Sequence, residues 1–424
     1  PVANRVIELY LQKKSENGGW ERQINGISNN EKAVLLLEKR TFKELLVDME
    51  LRNLQNNIVG QEASRLFARA EINMGVEAFR DSLYSLLKRN TFLNIKFENM
   101  LDTLGEISRT DIRSLLGEWE KTTPLPFYSL GEPTLTKITN KGGEEFFVLK
   151  MLISNNSDYD GIIHMDIRKD GWWYQPLEDP RAKTKIEMPA HTSKEFVSVW
   201  EDQIRNVEIN TMVSGNLPNI ISQDINNVKQ ERNKIVKDSI YILPESSFDL
   251  PGEIIVDNED STLFILSAPP IVGLLPKWLD EVEETPFKYS GISWWRPPLQ
   301  WTATTNDRYY GKYIRSAFVI KSGDGSQTAT WKVPVPEVGQ YDLYYHVFKD
   351  DELRWNNNLQ GEYHFKVKYG SEVEDAYVNL RKANEGWEQL GSYYFDSDTI
   401  RVVLTDECKL RSVTADAVKI VKRY

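Results

Sequence analysis

Cysteine is nearly absent: Cys408 is the only one in 424 residues, which excludes a disulfide within the chain and leaves its redox compartment open. Histidine is also scarce. His164, His191, His346 and His364 are widely spaced. None stands in the His-Glu-x-x-His pattern that sets two imidazoles on one helical face with a general-base Glu between them. No motif therefore completes a zinc hydrolase site. Glycine-rich phosphate loops are missing too, because Gly323-Asp-Gly325 reads as a hairpin turn rather than a nucleotide cradle. No apolar run reaches the roughly 20 residues that a membrane span needs. The chain opens at Pro1-Val-Ala-Asn with neither an initiator Met nor a signal h-region, which reads as a cut inside a longer protein, so that an upstream part of the same polypeptide is an expected partner.

Positive charge is not in excess anywhere on a large scale. Residues 1–124 carry 18 Lys and Arg against 18 Asp and Glu, so the whole net charge of −11 lies on 125–424. Nucleic acid, whose phosphates need a basic face, is excluded as the expected partner, and cations or neutral sugars fit better. With 40% hydrophobic and 27% charged residues, the chain has the composition of a core-forming polypeptide.

Periodicity divides the chain. Over 1–124 the pattern is helical. Val34, Leu37, Phe42, Leu45, Leu46 and Met49 return at helical intervals after Asn30, and Val76, Phe79, Leu83 and Leu86 do the same further on. Ser108-Arg-Thr-Asp111 reads as a capping box opening a helix through Ile112, Leu115, Leu116 and Trp119. From 125 to 219 the period becomes two. Phe147, Leu149, Met151 and Ile153 share one side of a strand and Ile163, Met165 and Ile167 one side of the next, as in a small immunoglobulin-like sandwich. The polar stretch 220–251 reads as a helical or irregular connector. Residues 252–424 hold 7 of the 12 tryptophans and many short alternating strands, the pattern of a jelly-roll-like sandwich. The expected fold is thus α+β multidomain: an N-terminal helical bundle, an Ig-like β-sandwich and a jelly-roll-like β-sandwich.

Two constellations could carry binding. Asp257, Glu259 and Asp260 put three carboxylates in four residues, and Asp416 joins them if the first and last strands of the final domain are neighbours. Such oxygen clusters can hold a structural Ca²⁺; the plainer reading is a solvated turn. Trp294, Trp295, Arg296 and Trp301, with Tyr309 and Tyr310 behind them, form the second. Exposed aromatic faces stack on sugar rings, whereas buried ones are simply core. If Trp294 and Trp295 lie on a strand they point to opposite faces, leaving one exposed. Cys408, His346 and His364 read as ordinary structural residues, with no nucleophile–base pair evident.

The stretch Glu253 to Asp260, the paired strands Trp331 to Val347, Trp387-x-x-Leu-Gly391 with Phe395, and the closing Ala415-Asp-Ala-Val418 resemble the golvesin/Xly carbohydrate-binding-like domain. The likeness covers roughly the last 170 residues, and the insertion Leu266 to Tyr289 has no place in it. It implies a jelly-roll-like sandwich in an accessory, extracellular role, with a polysaccharide or cell-envelope component as partner. Ile58 to Phe67, Met74 to Lys88 and Phe97 to Leu104 resemble the helices after the zinc site in aminopeptidase-N-like gluzincins of the Bacteroidetes type. The zinc motif of that family is absent here. Together these resemblances imply a non-catalytic C-terminal region of a secreted or periplasmic bacterial protein that binds envelope or extracellular carbohydrate. The alternatives are the C-terminal part of a zinc metallopeptidase whose catalytic half lies upstream, or a protein-interaction scaffold using the Trp294 to Trp301 surface.

Overall fold

A computed structural model describes residues 19–90, 95–109, 111–113, 121–140, 142–169, 175–232, 236–244, 248, 252–267, 287–293, 295–349 and 361–423. The architecture is α+β, helices first and β-sheets after, in two compact units.

The first unit takes in Asn29–Phe248. Its helices Asn29–Lys39, Phe42–Val47, Gln55–Met74, Val76–Arg89 and Phe97–Ser108 bury Leu37, Leu45, Ile58, Leu66, Phe79, Leu83 and Leu104 in one core. The long amphipathic run read from Val34 to Met49 is two helices. Thr41 breaks it, its hydroxyl accepting from the Glu44 amide at 3.2 Å while the Glu44 carboxylate accepts from the Thr41 amide at 2.9 Å. Satisfying two end amides at once makes this a capping box, and Met49 beyond it is exposed. Thr41→Ala is expected to cost about 1 kcal/mol, read as a lower denaturant midpoint with an unchanged slope. The box expected at Ser108 is not one. Ser108 is the last residue of its helix, with Arg109 in the left-handed conformation as its C-cap. The helix expected after it is described only at 112–113, and Trp119 lies outside the described residues.

Two sheets follow in the same unit. One orders Val228–Arg232, Thr134–Thr139, Glu145–Asn155, Thr192–Trp200 and Ser239–Pro244, with Tyr128–Leu130 also on Glu145–Asn155. The other orders Gln175–Pro176, Gly161–Lys169, Ile204–Asn210 and Ile220–Asp224, with Lys183–Met188 also on Gly161–Lys169. Leu149, Met151, Ile153, Ile163, Met165 and Ile167 fill the space between them. The connector expected over 220–251 is therefore largely strand. Ile240-Tyr-Ile-Leu243 has strong strand propensity and pairs with Thr192–Trp200, and the polar run before it hides a parallel edge strand on Thr134–Thr139. Helices and sandwich meet through Val34 against Leu125 and Val213, and through the Asn219 amide donating to the buried Glu31 carboxylate at 2.9 Å.

The second unit comprises Asp249–Tyr424 together with Gly19–Ser28, which the sequence reading places in the helical region. Gly26 explains the attachment. Its carbonyl accepts from the Thr305 hydroxyl at 2.6 Å, and a Cβ there would lie 2.5 Å from the Ser290 backbone. A four-stranded sheet orders Glu253–Val256, Val418–Lys422, Gly339–Val347 and Gly386–Phe395. A five-stranded sheet orders Phe264–Ser267, Thr328–Pro334, Thr399–Thr405, Glu362–Tyr369 and Glu372–Asn379. A three-stranded sheet orders Thr302–Thr305, Ser316–Lys321 and Ser412–Ala415. Trp331, Tyr345, Phe365, Phe395, Val402 and Ile420 lie in the shared core. Gly323-Asp-Gly325 is not a hairpin turn, because the strands on either side of it belong to different sheets. Asp406 holds it, accepting from the Gly325 amide at 2.7 Å. Among the described residues no helix is long and apolar enough to cross a membrane.

Candidate functional site

The aromatic constellation separates into exposed and structural members. Ser293 and Arg296 form an isolated bridge, with the Arg296 amide donating to the Ser293 carbonyl at 3.0 Å, so the segment is a turn and strand alternation does not apply to it. Trp294 lies outside the described residues. Trp295 is 83% exposed, with the Arg411 guanidinium carbon 5.4 Å from its ring centroid. Arg296 is exposed beside it. Two hydrogen bonds tie this corner to the sandwich, Lys321 N–H to the Pro298 carbonyl at 2.7 Å and the Gln327 side chain to the Leu299 carbonyl at 3.3 Å, and a third, from Ser322 N–H to the Arg411 carbonyl at 3.0 Å, fixes the backbone at Arg411. A fixed turn carrying an exposed indole is a platform that loses little entropy when a ring stacks on it.

The other aromatics serve the fold. Trp301 packs half-buried against the core with its indole N–H buried and unpartnered. Tyr309, expected on the binding surface, is buried with its ring 4.7 Å from Phe348, and so is not available to stack on a ligand. Tyr310 is half-buried between Trp387, at 5.0 Å, and His346, at 5.8 Å, and its amide donates to Asp416.

Terminal strands of the second unit do pair, Glu253–Val256 with Val418–Lys422, and this brings Asp257 close to Asp416. Asp416 is fully buried and accepts from the Tyr310 amide and from His346 Nδ1 at 2.9 Å, while its backbone carbonyl accepts from Trp331 Nε1 at 3.2 Å. Glu259 is engaged by Lys288, by the Tyr289 hydroxyl at 3.1 Å and by Ser316. Asp260 is spent on its own turn, accepting from the Thr262 hydroxyl at 2.8 Å. Burial, and then the nearby Asp416 charge, push the Asp257 carboxyl well above the usual range; burial likewise raises Asp416, against the pull of His346. A proton or a cation would relieve such a pair. Among the described residues no group of three or more His, Cys, Asp or Glu side chains is disposed to hold a metal ion. The donors already on Asp416 and Glu259 leave a proton the simpler partner.

The residues that carry the sequence signature are thus architectural. Asp416 of Ala415-Asp-Ala-Val418 ties the last strands to the core tryptophan and to the 309–310 turn. Gly391 lies under the Tyr393 ring, where a Cβ would meet the hydroxyl oxygen at 2.7 Å, beside a register shift between Leu343 and Tyr344. Residues 297–422 match the Golvesin C-terminal domain family. Comparison with curated proteins finds no relative. Among solved structures, the β-glucuronidase of Bacteroides uniformis is 13% identical over 75% of this chain and 32% of its own, with a TM-score of 0.21. Aminopeptidase A of Legionella pneumophila in complex with aspartic acid is 14% identical over 44% of this chain and 22% of its own, with a TM-score of 0.20. This chain thus spans about a third of the length of the first and less of the second. The golvesin-type signature sits in the second unit, whose one highly exposed indole among the described residues is Trp295.

The remaining candidates are held by their surroundings. Cys408 is half-buried, and burial pushes its thiol up, away from the reactive thiolate. His346 and His364 are engaged by carboxylates within the second unit, the first by Asp416 and the second by Asp375 and Glu407.

Proposed function

We propose that this chain is a non-catalytic region of a secreted or periplasmic bacterial protein, and that its golvesin-type sandwich binds extracellular or envelope carbohydrate through Trp295. The observation that carries the reading is the exposed indole on a hydrogen-bonded turn, with guanidinium groups at Arg411 and Arg296 to bond the rim of a stacked ring. The family match over 297–422 supports an accessory role. Loss of Trp295 removes the stacking surface and leaves the core untouched. Trp295→Ala is therefore expected to weaken binding to a polysaccharide by about 1 to 3 kcal/mol, the size of aromatic stacking on nucleobases, at an unchanged melting temperature. Calorimetric titration with soluble polysaccharides checks this, and equal affinities for the two proteins would remove Trp295 from the site.

A further inference from the structure

The outer face of the five-stranded sheet in the second unit carries a pattern that its core does not require. Lys332 stands directly opposite Arg401, and Arg401 directly opposite Lys368, so three cations line up across three neighbouring strands. Lys366 lies two residues along the third strand on the same face. Alternation fixes their direction: Trp331 and Val333, Ile400 and Val402, and Phe365 and Val367 flank them and are buried in the core.

Among the described residues none of these four cations has an ion-pair partner. Several other cations of the unit are matched: Lys288 with Glu259, Arg308 with Glu385, Lys419 with Glu253 and Arg423 with Asp342. Asp375, opposite Lys366 in the register, bonds His364 Nε2 at 2.7 Å instead, and Glu407 takes the other ring nitrogen at 3.2 Å. Like charges facing each other across a sheet repel and cost stability. In a chain with a net charge of −11, an unneutralised row of this kind is a complement to a negative partner.

Geometry narrows the partner. Neighbouring strands are about 4.8 Å apart, so the charges repeat on that pitch in a straight line. A linear polymer with one anion on each sugar ring matches such a row. Apolar groups flank it, Ile265 on one side and Val373 and Tyr377 on the other, all exposed and able to lie against ring faces. Duplex nucleic acid fits poorly, since its binding proteins commonly neutralise about 6 to 10 phosphates.

We infer that Lys332, Arg401, Lys368 and Lys366 form a track for an acidic, carboxylate-bearing polysaccharide running across the strands. The inference rests on the carbohydrate reading for its ligand class, and adds the charge of the ligand and a second face. Full-length chain titrated with polygalacturonate should bind with an affinity that falls steeply between about 50 and 200 mM NaCl. The carboxyl-reduced polymer should not occupy the track. Arg401→Thr and the double variant Lys332→Thr/Lys368→Thr should each lose at least about tenfold in affinity. Their melting temperatures should hold or rise, because a repulsion is removed and Thr is a good strand former. Unchanged affinity in these variants, equal competition by duplex DNA, or binding of dextran sulfate but not polygalacturonate would each overturn the assignment. Neutral-glycan binding lost in Trp295→Ala with no polygalacturonate binding by the parent chain would sink the track alone. Polygalacturonate binding that needs Arg401, with no neutral glycan bound, would support the track and remove the Trp295 reading.

Discussion

Trp331→Ala lowers the melting temperature of the second unit by on the order of 10 °C. Trp331 is fully buried and packs against Phe264 at 5.4 Å and Tyr345 at 6.3 Å, while its indole N–H donates to the Asp416 carbonyl. Truncating a core Trp costs about 3 to 5 kcal/mol, because burial is lost and a cavity remains. Each kcal/mol is worth roughly 2 to 4 °C for a domain of this size. Trp331→Phe keeps most of the ring but leaves the Asp416 carbonyl without its partner, so it is expected to fall between the two. Differential scanning calorimetry reads both, and an alanine variant within about 2 °C of the parent would contradict the placement of Trp331 in the core.

Asp257→Asn raises the melting temperature at neutral pH by about 2 to 4 °C and leaves it unchanged near pH 4. The sign follows from linkage. The folded-state carboxyl of Asp257 is raised by burial and by Asp416, so the folded chain binds a proton that the unfolded chain has already released. Stability from that proton is fully present below the ordinary Asp value, about 3.9, and is lost as pH rises through the raised folded value. Asparagine carries no charge at any pH and escapes the loss. The same experiment tests the cation alternative. If Ca²⁺ bridged Asp257 and Asp416, millimolar Ca²⁺ would raise the melting temperature of the parent chain at neutral pH and not that of the variant.

Local pattern was readable where packing follows periodicity. The alternation of Leu149, Met151 and Ile153, and of Ile163, Met165 and Ile167, is the alternation of the buried faces. Where long-range contacts decide, local pattern fails. The three strands within 220–251 all lie at sheet edges, where polar residues face solvent, yet backbone pairing still makes them strands. Gly19–Ser28 has helical periodicity, but its place is fixed by the approach of Gly26 to Ser290, which no nearby residue announces. Tyr309 and Trp295 are both aromatic residues in turn-rich sequence, and only the fold distinguishes the buried ring from the exposed one. Lys332, Lys368 and Arg401 are far apart in sequence, and their alignment exists only in the strand register. The acidic cluster was partly legible: terminal strands pair and Asp257 approaches Asp416, but Glu259 is occupied by Tyr289 and Ser316, distant in sequence, and Asp260 by the neighbouring Thr262.

The most direct test of the central claim is a screen of the intact chain against immobilised polysaccharides and, in parallel, peptides. A carbohydrate-binding sandwich predicts retention on at least one polysaccharide, reduced by Trp295→Ala, and no retention on peptides. Retention on peptides with none on any glycan would contradict it and identify the surface around Trp295 as a protein-interaction site.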